Sequence, residues 1–262
     1  GLVGSEMCIR DSLEAVMLCI TKELENNIEY IEYTGYKKED IIFFDIETTG
    51  FSPETTILYM IGCIYYQQNR LICTQWFSDS KDAQKDVLVA FMEFIDKYKL
   101  LVCYNGLGFD IPYLQKKCRM YGLAYSIEQM AVLDIYKQLQ PYRSILHTPN
   151  LKQKSIETFL GINREDKYNG GELIDIYLKY LENRSNENFN LLTLHNREDL
   201  IGMTSLLSML SYRIVYNGGF TIENIEKISY NSAERAPGTE IVFSIKLSTP
   251  VPKRISFGNE ST

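Results

Sequence analysis

The stretch Ile41-Ile-Phe-Phe-Asp-Ile-Glu-Thr-Thr-Gly50 decides the fold of this chain. Its first four residues form a short apolar run, which is typical of a buried strand, and Thr-Thr-Gly ends that strand. Asp45 and Glu47 stand two positions apart, so both side chains point to the same face of a strand. Two adjacent carboxylates repel each other, and a divalent cation between them removes that repulsion. Two solvated acids at a strand end are the alternative interpretation.

A second acidic motif, Asn105-Gly-Leu-Gly-Phe-Asp110, follows another buried strand that the sequence predicts over residues 100–104. The two glycines of this motif permit a positive φ or a close approach of backbone or ligand. Asp110 is therefore a candidate metal ligand. The alternative is that Asp110 is the N-cap of the helix predicted over residues 109–121.

The third motif, His195-Asn-Arg-Glu-Asp199, lies on a long helix predicted over residues 188–212. His195 and Asp199 are four residues apart and therefore stack on one helix face, where Gly202 leaves room beside Asp199. An imidazole next to a metal-ligating carboxylate can deprotonate or orient an attacking water. A surface His–Asp pair is the alternative. Asn196 and Glu198 are expected to be solvated neighbours in this motif, although Glu198 is also within reach of the helix face beside His195.

The rest of the chain predicts an α/β fold, with a mixed β-sheet flanked by α-helices and a truncated β extension at the C-terminus. We divide it into an N-terminal helix within residues 13–37, a main domain over 38–216 and a partial β region over 217–262. The further predicted elements are the N-terminal helix itself over 13–32, a hairpin from 57–66 and 70–77, helices over 82–98, 154–160 and 172–182, a strand over 132–135, a loop-rich stretch over 140–149 and a single strand over 239–248.

Residues 1–12 match one translated frame of a transposon-based sequencing adapter. Met7 to Asp11, for example, corresponds to ATG-TGT-ATA-AGA-GAC. We interpret this segment as an assembly artefact that carries no fold information. A natural polar N-terminus is the alternative.

Composition narrows the range of partners and metals. A net charge of -7 argues against a broad basic surface that grips a long duplex, and the chain lacks the long apolar run of a membrane span. Six cysteines without a CxxC pair and only two histidines argue against a zinc site. The cysteines are expected to be buried thiols of a protein in a reducing, cytoplasmic environment.

Together the three motifs resemble those of the DEDD superfamily of 3′–5′ exonucleases, which have a ribonuclease H-like fold. The wider pattern most resembles the YprB-type branch of that fold, and the resemblance covers roughly residues 38–215. His195 stands four positions before Asp199, as in the YprB-type branch, whereas the histidine subgroup places its histidine five positions before the aspartate. Further matching segments are Tyr104-Asn-Gly106, Phe109-Asp-Ile-Pro112, Leu133-Asp-Ile135 and Leu160-Gly-Ile162.

The resemblance implies a set of roles for these residues. Two Mg²⁺ or Mn²⁺ ions would be held by four carboxylates, with His195 as the general base of metal-assisted hydrolysis. Single-stranded DNA or RNA would be the partner, and neither a membrane nor a protein partner is inferred. The metal ligands and catalytic acids would be Asp45, Glu47, Asp110 and Asp199. The substrate contacts would be Thr48, Gly50, Asn105, Gly106 and Phe109.

A basic and aromatic cluster on the helix after Asp110 offers further contacts to a single strand, because cations beside stacking rings suit such a ligand. A solvated helix face is the alternative. The cluster consists of Lys116, Lys117, Arg119, Tyr113, Tyr121 and Tyr125.

The sequence thus favours a metal-dependent 3′–5′ exonuclease that acts on single-stranded nucleic-acid ends. Two other functions stay open. One is a nucleic-acid-binding module that keeps the fold without catalysis, although such a module has no need of clustered buried acids. The other is an endonuclease that cuts structured nucleic acid with the same site.

Overall fold

The structure is a computed structural model that describes the backbone of residues 6–9, 17–25, 27–232 and 235–256. Side chains are described for residues 17–25, 27–229 and 238–256. No helix in these ranges is both long and apolar enough to cross a membrane.

A mixed sheet forms the centre of the described part of the chain. Its strand order is β1-β2-β5-β4-β3-β6-β7, with β6 and β7 parallel to β3 and the other neighbouring pairs antiparallel. This arrangement confirms the predicted α/β fold with a mixed sheet. The strands are β1 (Glu6–Ile9), β2 (Met17–Leu24), β3 (Ile41–Thr48), β4 (Leu58–Gln67), β5 (Arg70–Ser78), β6 (Leu100–Cys103) and β7 (Ala131–Asp134).

Helices cover both faces of the sheet. Phe44 and Phe91 stack on the face covered by α1, whereas Phe43 packs with Leu200 and Met203 on the face covered by α7. The helices are α1 (Gln84–Ile95), α2 (Asp110–Met120), α3 (Ile135–Leu139), α4 (Arg143–Leu146), α5 (Gln153–Leu160), α6 (Gly170–Asn183), α7 (Asn186–Ser205) and α8 (Leu210–Tyr216).

The helix predicted over residues 13–32 is wrong. Residues 17–24 form strand β2, which pairs antiparallel with β5 and brings Leu18 opposite Phe77. Leu18 and Ile20 pack on one face of the sheet and Met17 on the other, an alternation that the helical spacing of apolar residues concealed. Pairing with β2 satisfies the backbone hydrogen-bonding groups on the outer edge of β5. This tertiary interaction outweighs the local helix propensity of the segment.

The adapter-like segment is described only at residues 6–9, which pair with β2 as strand β1. Residues 1–5 and 10–12 lie outside the described residues, and the origin of the segment stays a prediction.

Two helical regions differ in detail from the prediction. The loop-rich stretch over 140–149 contains a short 3-10 helix followed by α4. The long helix predicted over 188–212 is divided, because a 3-10 turn at Leu206–Met209 separates α7 from α8.

A hairpin follows α8. The strand predicted over residues 239–248 is confirmed within β9 (Arg235–Leu247), but its partner β8 (Phe220–Ser232) was not predicted. The register shifts between Ile222 and Asn224, so the alternation of apolar residues that marks a strand is broken there.

Candidate metal centre

The third acidic motif lies over the first one because α7 crosses β3 and β4. At the crossing, Asn196 is fully buried and donates a hydrogen bond of 2.9 Å to Asp45 Oδ2. Its Oδ1 accepts one of 2.9 Å from Gln75 Nε2. Gly62 makes this approach possible, since a Cβ there would lie 1.9 Å from Asn196 Oδ1. The expectation that Asn196 is solvated is therefore wrong, and sequence reasoning missed its contact with Asp45.

The second motif reaches the same place from the end of β6. Asp110 is the first residue of α2 and not its N-cap, and its Oδ1 accepts a hydrogen bond of 3.3 Å from Ile46 N. Asn105 rather than a glycine has the positive φ, 61°. Asp134 holds the turn by accepting hydrogen bonds from the backbone of Asn105 and Leu107, at 2.9 and 3.1 Å. Asp110 thus faces the backbone that separates Asp45 from Glu47.

Glu47, His195 and Asp199 have ligand atoms that all lie within 4.8 Å of one another, a geometry that could hold a metal ion. His195 Nε2 lies 3.1 Å from Asp199 Oδ2 and 3.7 Å from Glu47 Oε1. Glu47 Oε2 accepts a hydrogen bond of 3.3 Å from the Tyr59 hydroxyl, whereas its buried Oε1 has no hydrogen-bond partner. A free lone pair therefore points into the group from Glu47.

Burial and mutual repulsion make three of the acids unusually weak. Burial raises the pKa of Asp45 well above its usual range, and the charges of Glu47, Asp199 and Asp110 raise it further. Burial likewise raises the pKa of Glu47 to about 7, against the opposing effect of the nearby imidazole. Burial also raises the pKa of Asp110 to about 7. The carboxylates that the sequence predicted therefore form one electrostatic cluster.

The fourth acid behaves differently because two cations contact it. Burial would raise the pKa of Asp199, but His195 and Arg164 outweigh that effect and lower it. Burial would lower the pKa of His195, but the hydrogen bond to Asp199 and the surrounding carboxylates raise it to about 9. Without a metal, His195 is therefore a cation at neutral pH and partly neutralises the acids.

A second carboxylate orients His195. Its Nδ1 lies 2.6 Å from Asp166 Oδ2, and Asp166 is also held by Lys154 Nζ at 2.9 Å. Glu198, expected to be solvated, accepts a hydrogen bond of 2.8 Å from Asp166 N and so fixes that segment. A carboxylate on Nδ1 directs Nε2 of the ring toward Glu47 and Asp199. Sequence reasoning missed Asp166, which stands in a loop without a recognisable pattern.

Arg164 fixes Asp199 from the other side. Its guanidinium pairs with Asp199 Oδ1 and with Glu157, which is almost fully buried. Gln153 Nε2 donates to the Asp199 carbonyl at 2.7 Å. The room that Gly202 leaves is taken by Glu157, since a Cβ at 202 would lie 2.0 Å from Glu157 Oε1. Breaking such a buried ion pair leaves an uncompensated charge, so this network holds Asp199 firmly.

The residues present fit a divalent metal. Buried carboxylates repel each other and are costly without a cation, and the buried Glu47 Oε1 has no hydrogen-bond partner. Carboxylate oxygens are the preferred ligands of Mg²⁺ and Mn²⁺. The charges of Glu47 and Asp199 act on Asp45, and that of Asp199 acts on Asp110. Asp45 and Asp110 are nevertheless not part of the group of Glu47, His195 and Asp199 whose ligand atoms lie within 4.8 Å of one another.

The residues predicted to contact substrate occupy two loops beside the carboxylates. Thr48 Oγ1 donates to Gly50 O at 2.8 Å, which closes the turn after β3. The next residue, Phe51, is 89% exposed and packs edge-on against Phe109, so this turn meets the turn before α2. Gly106 is buried, because the Cys103 side chain fills the space that a Cβ would need. Their contact with substrate stays a prediction.

The basic and aromatic cluster on α2 is not a continuous surface. Lys117 is only 2% exposed and donates to Thr56 O and Gln84 Oε1, both at 2.7 Å. Tyr113 is also buried, and Lys116 pairs with Glu54 at 2.9 Å. Lys117 is therefore neither exposed for contact with a single strand nor part of a solvated helix face. It stabilises the loop after β3.

The buried thiols agree with the expectation for an α/β core. The side chains of Cys63, Cys73, Cys103 and Cys118 are buried, and burial raises the pKa of each thiol. They act as small apolar side chains.

Comparison with known proteins defines the class to which this fold and site belong. The family model of the RNase H superfamily matches residues 42–211. The chain belongs to this superfamily, which confirms the ribonuclease H-like fold expected from the acidic motifs.

The sequence identity between this chain and individual relatives is low. The chain is 24% identical over 186 residues to the uncharacterized protein YprB of Bacillus subtilis, covering 69% of this chain and 44% of that protein. It is 24% identical over 151 residues to the PolC-type DNA polymerase III of Ureaplasma parvum, covering 47% of this chain and 10% of the polymerase. It thus spans less than half of either relative. The family B DNA polymerase of Pyrobaculum calidifontis shares the fold, with a TM-score of 0.51 and 15% identity over 67% of this chain and 24% of that one.

Proposed function

We propose that this chain is a metal-dependent 3′–5′ exonuclease that hydrolyses phosphodiester bonds at single-stranded nucleic-acid ends. The observation that carries the proposal is the group of Glu47, His195 and Asp199, whose ligand atoms lie within 4.8 Å of one another. Asp45 interacts electrostatically with Glu47 and Asp199, and the buried Glu47 Oε1 has no hydrogen-bond partner. One relative is by name a DNA polymerase, and its action on nucleic acid supports such a substrate here.

The chain's own residues would prepare the site in three ways. Asn196 and the Ile46 N–H orient the carboxylates of Asp45 and Asp110. Asp166 holds the His195 ring so that Nε2 can exchange a proton within the site. Two Mg²⁺ or Mn²⁺ ions, when bound, would supply Lewis-acid stabilisation of the phosphodiester oxygens and lower the pKa of an attacking water.

The test compares hydrolysis of single-stranded DNA and RNA labelled at either end, with Mg²⁺ or Mn²⁺. A 3′ label should be released at once as a mononucleotide, whereas a 5′ label should yield a ladder of shortening products. Asp45→Asn and Asp199→Asn should each lower kcat/KM by about 1,000-fold or more, because loss of about 4 kcal/mol of transition-state stabilisation corresponds to that factor.

Asp175→Asn is the matched control, since Asp175 is an exposed acid of α6. Activity that survives Asp45→Asn would overturn the metal centre. Cleavage of circular single strands would assign an endonuclease instead, and oligonucleotide binding without hydrolysis would assign a binding module.

A further inference from the structure

A cleft of about 420 Å³ opens beside the metal centre. We call it the Tyr136 cleft, after the residue on α3 that forms part of its wall. Its volume lies within the range of small-ligand sites, about 300–1,000 Å³. The lining residues that matter below are Tyr104, Asn105, Tyr136, Arg143, Lys152 and Gln153.

The cleft is connected to the metal centre through two of its lining residues. Asn105 belongs to the turn that leads from β6 to Asp110, and its backbone N–H is held by Asp134 at 2.9 Å. Gln153 donates through Nε2 to the Asp199 carbonyl at 2.7 Å. A ligand in the cleft therefore lies against the turn that leads to Asp110 and against Gln153, which contacts the helix that carries Asp199.

The charge of the cleft is opposite to that of the chain. Arg143 and Lys152 are exposed and make no ion pair with a described carboxylate, and no described lining residue is acidic. The chain as a whole has a net charge of -7. Two cations without an ion-pair partner in a concave site attract an anion. Because the clustered acids of the metal centre repel that anion, it should extend away from them.

The cleft also contains an aromatic platform. Tyr136 is partly exposed and packs edge-on against Tyr104, with ring centroids 6.0 Å apart. Tyr104 is fixed because its hydroxyl donates to Leu151 O at 2.6 Å. A held aromatic ring beside cations matches the way proteins bind single strands, through base stacking and phosphate contacts.

We propose that the Tyr136 cleft binds a nucleotide of the substrate strand upstream of the terminal one, with its base on Tyr136 and its phosphates near Arg143 and Lys152. This inference rests on the proposed exonuclease function and specifies where the strand lies. The cleft residues follow β6 and β7, whereas Thr48 ends β3 and Gly50 lies in the turn after it. In this proposal the substrate strand therefore crosses the metal centre from the β3 side to the β7 side of the sheet.

The first test uses a long and a short substrate to distinguish loss of binding in the cleft from damage to the metal centre. The variants are Tyr136→Ala and the double variant Arg143→Ala/Lys152→Ala, assayed on a single-stranded oligonucleotide and on the p-nitrophenyl ester of thymidine 5′-phosphate. The ester contains one nucleotide and lacks the base and phosphate of an upstream nucleotide. The loss of kcat/KM on the oligonucleotide should exceed that on the ester by about 10-fold for either variant.

The second test measures oligonucleotide binding by fluorescence anisotropy at several salt concentrations, with Ca²⁺ in place of Mg²⁺. For Arg143→Ala/Lys152→Ala, the slope of log Kd against log salt should fall by about 1.4, since each phosphate contact on a single strand contributes about 0.7. The controls are Tyr136→Phe, which keeps the ring, and Lys85→Ala/Lys179→Ala, which removes two exposed cations of α1 and α6.

The outcomes distinguish the two proposals. If wild-type protein hydrolyses oligonucleotides and the cleft variants match the Lys85→Ala/Lys179→Ala control in both tests, the cleft inference is wrong and the exonuclease function stands. Equal losses on oligonucleotide and ester would also overturn it, because they indicate damage to the metal centre. Wild-type protein that neither binds nor hydrolyses nucleic acid would overturn both.

Discussion

Asn196 Nδ2 donates a hydrogen bond of 2.9 Å to Asp45 Oδ2, although 151 positions separate the two residues. This bond couples α7 to β3 at the point where the carboxylates meet. Because the same amide accepts from Gln75, both polar groups of Asn196 are satisfied inside the core.

Asn196→Asp should therefore impair both activity and stability. The variant replaces a donor with a further buried anion beside Asp45, and outer contacts of metal ligands typically contribute 10–100-fold, so kcat/KM should fall by about that factor. The free energy of unfolding should fall by about 3 kcal/mol, within the range for a buried uncompensated charge. Urea unfolding and oligonucleotide hydrolysis measure the two effects. Asn190→Asp, at an exposed position of α7, should change neither; a stable and fully active Asn196→Asp would contradict the role of the bond.

Asp166→Asn should lower kcat by about 10–100-fold with little change in KM, because Asp166 acts on the orientation of His195 and not on substrate. A change in KM alone would instead indicate a substrate contact. The pH profile of kcat should also move, since the variant removes an anion from the imidazole. Asp175→Asn provides the comparison, as an exposed acid whose neutralisation leaves the imidazole unaffected.

Gly62→Ala should destabilise the protein by about 3 kcal/mol, at the upper end of the cost of overpacking, because its Cβ would lie 1.9 Å from Asn196 Oδ1. Displacement of Asn196 should also lower hydrolysis. Thermal and urea unfolding measure the first effect. Gly170→Ala, where nothing lies within 4 Å of the added carbon, should be neutral or slightly stabilising. Equal stability of the two variants would show that α7 packs less closely on β4 than the structure describes.

Divalent metal should stabilise the wild-type protein against heat. At a metal concentration about 100 times Kd, binding contributes about 2.7 kcal/mol, which raises the Tm by about 5–10 °C for a chain of this size. The Tm in EDTA, Mg²⁺ and Mn²⁺ at constant ionic strength measures this effect.

Asp45→Asn should lose most of that metal-dependent rise. In EDTA its Tm should instead exceed that of wild type, because the variant removes one of several buried carboxylates that repel each other. Asp86→Asn, at an exposed position of α1, should respond to metal as wild type does. A metal-dependent rise that persists in Asp45→Asn would place the ion elsewhere.

Local sequence patterns predicted much of the fold. The apolar runs of β3 and β6 and the helical spacing of apolar residues within 82–98 predicted those strands and α1, because each element depends on burial of its own residues. β2 was mistaken for a helix because its conformation depends on the open edge of β5, which is remote in sequence. The partner of β9 was missed because a register shift near Ile222 interrupts the alternation of β8.

The sequence by itself determined the carboxylate motifs, their positions at the end of β3, after β6 and on α7, and the α/β class, since these follow from spacing and hydrophobic period. Only the tertiary structure decided which residues hold those acids in place. Asn196, Asp166 and Arg164 act through contacts between elements far apart in the chain, and such contacts leave no periodic signal. The Tyr136 cleft likewise exists only because β6, α3 and α5 converge beside the metal centre.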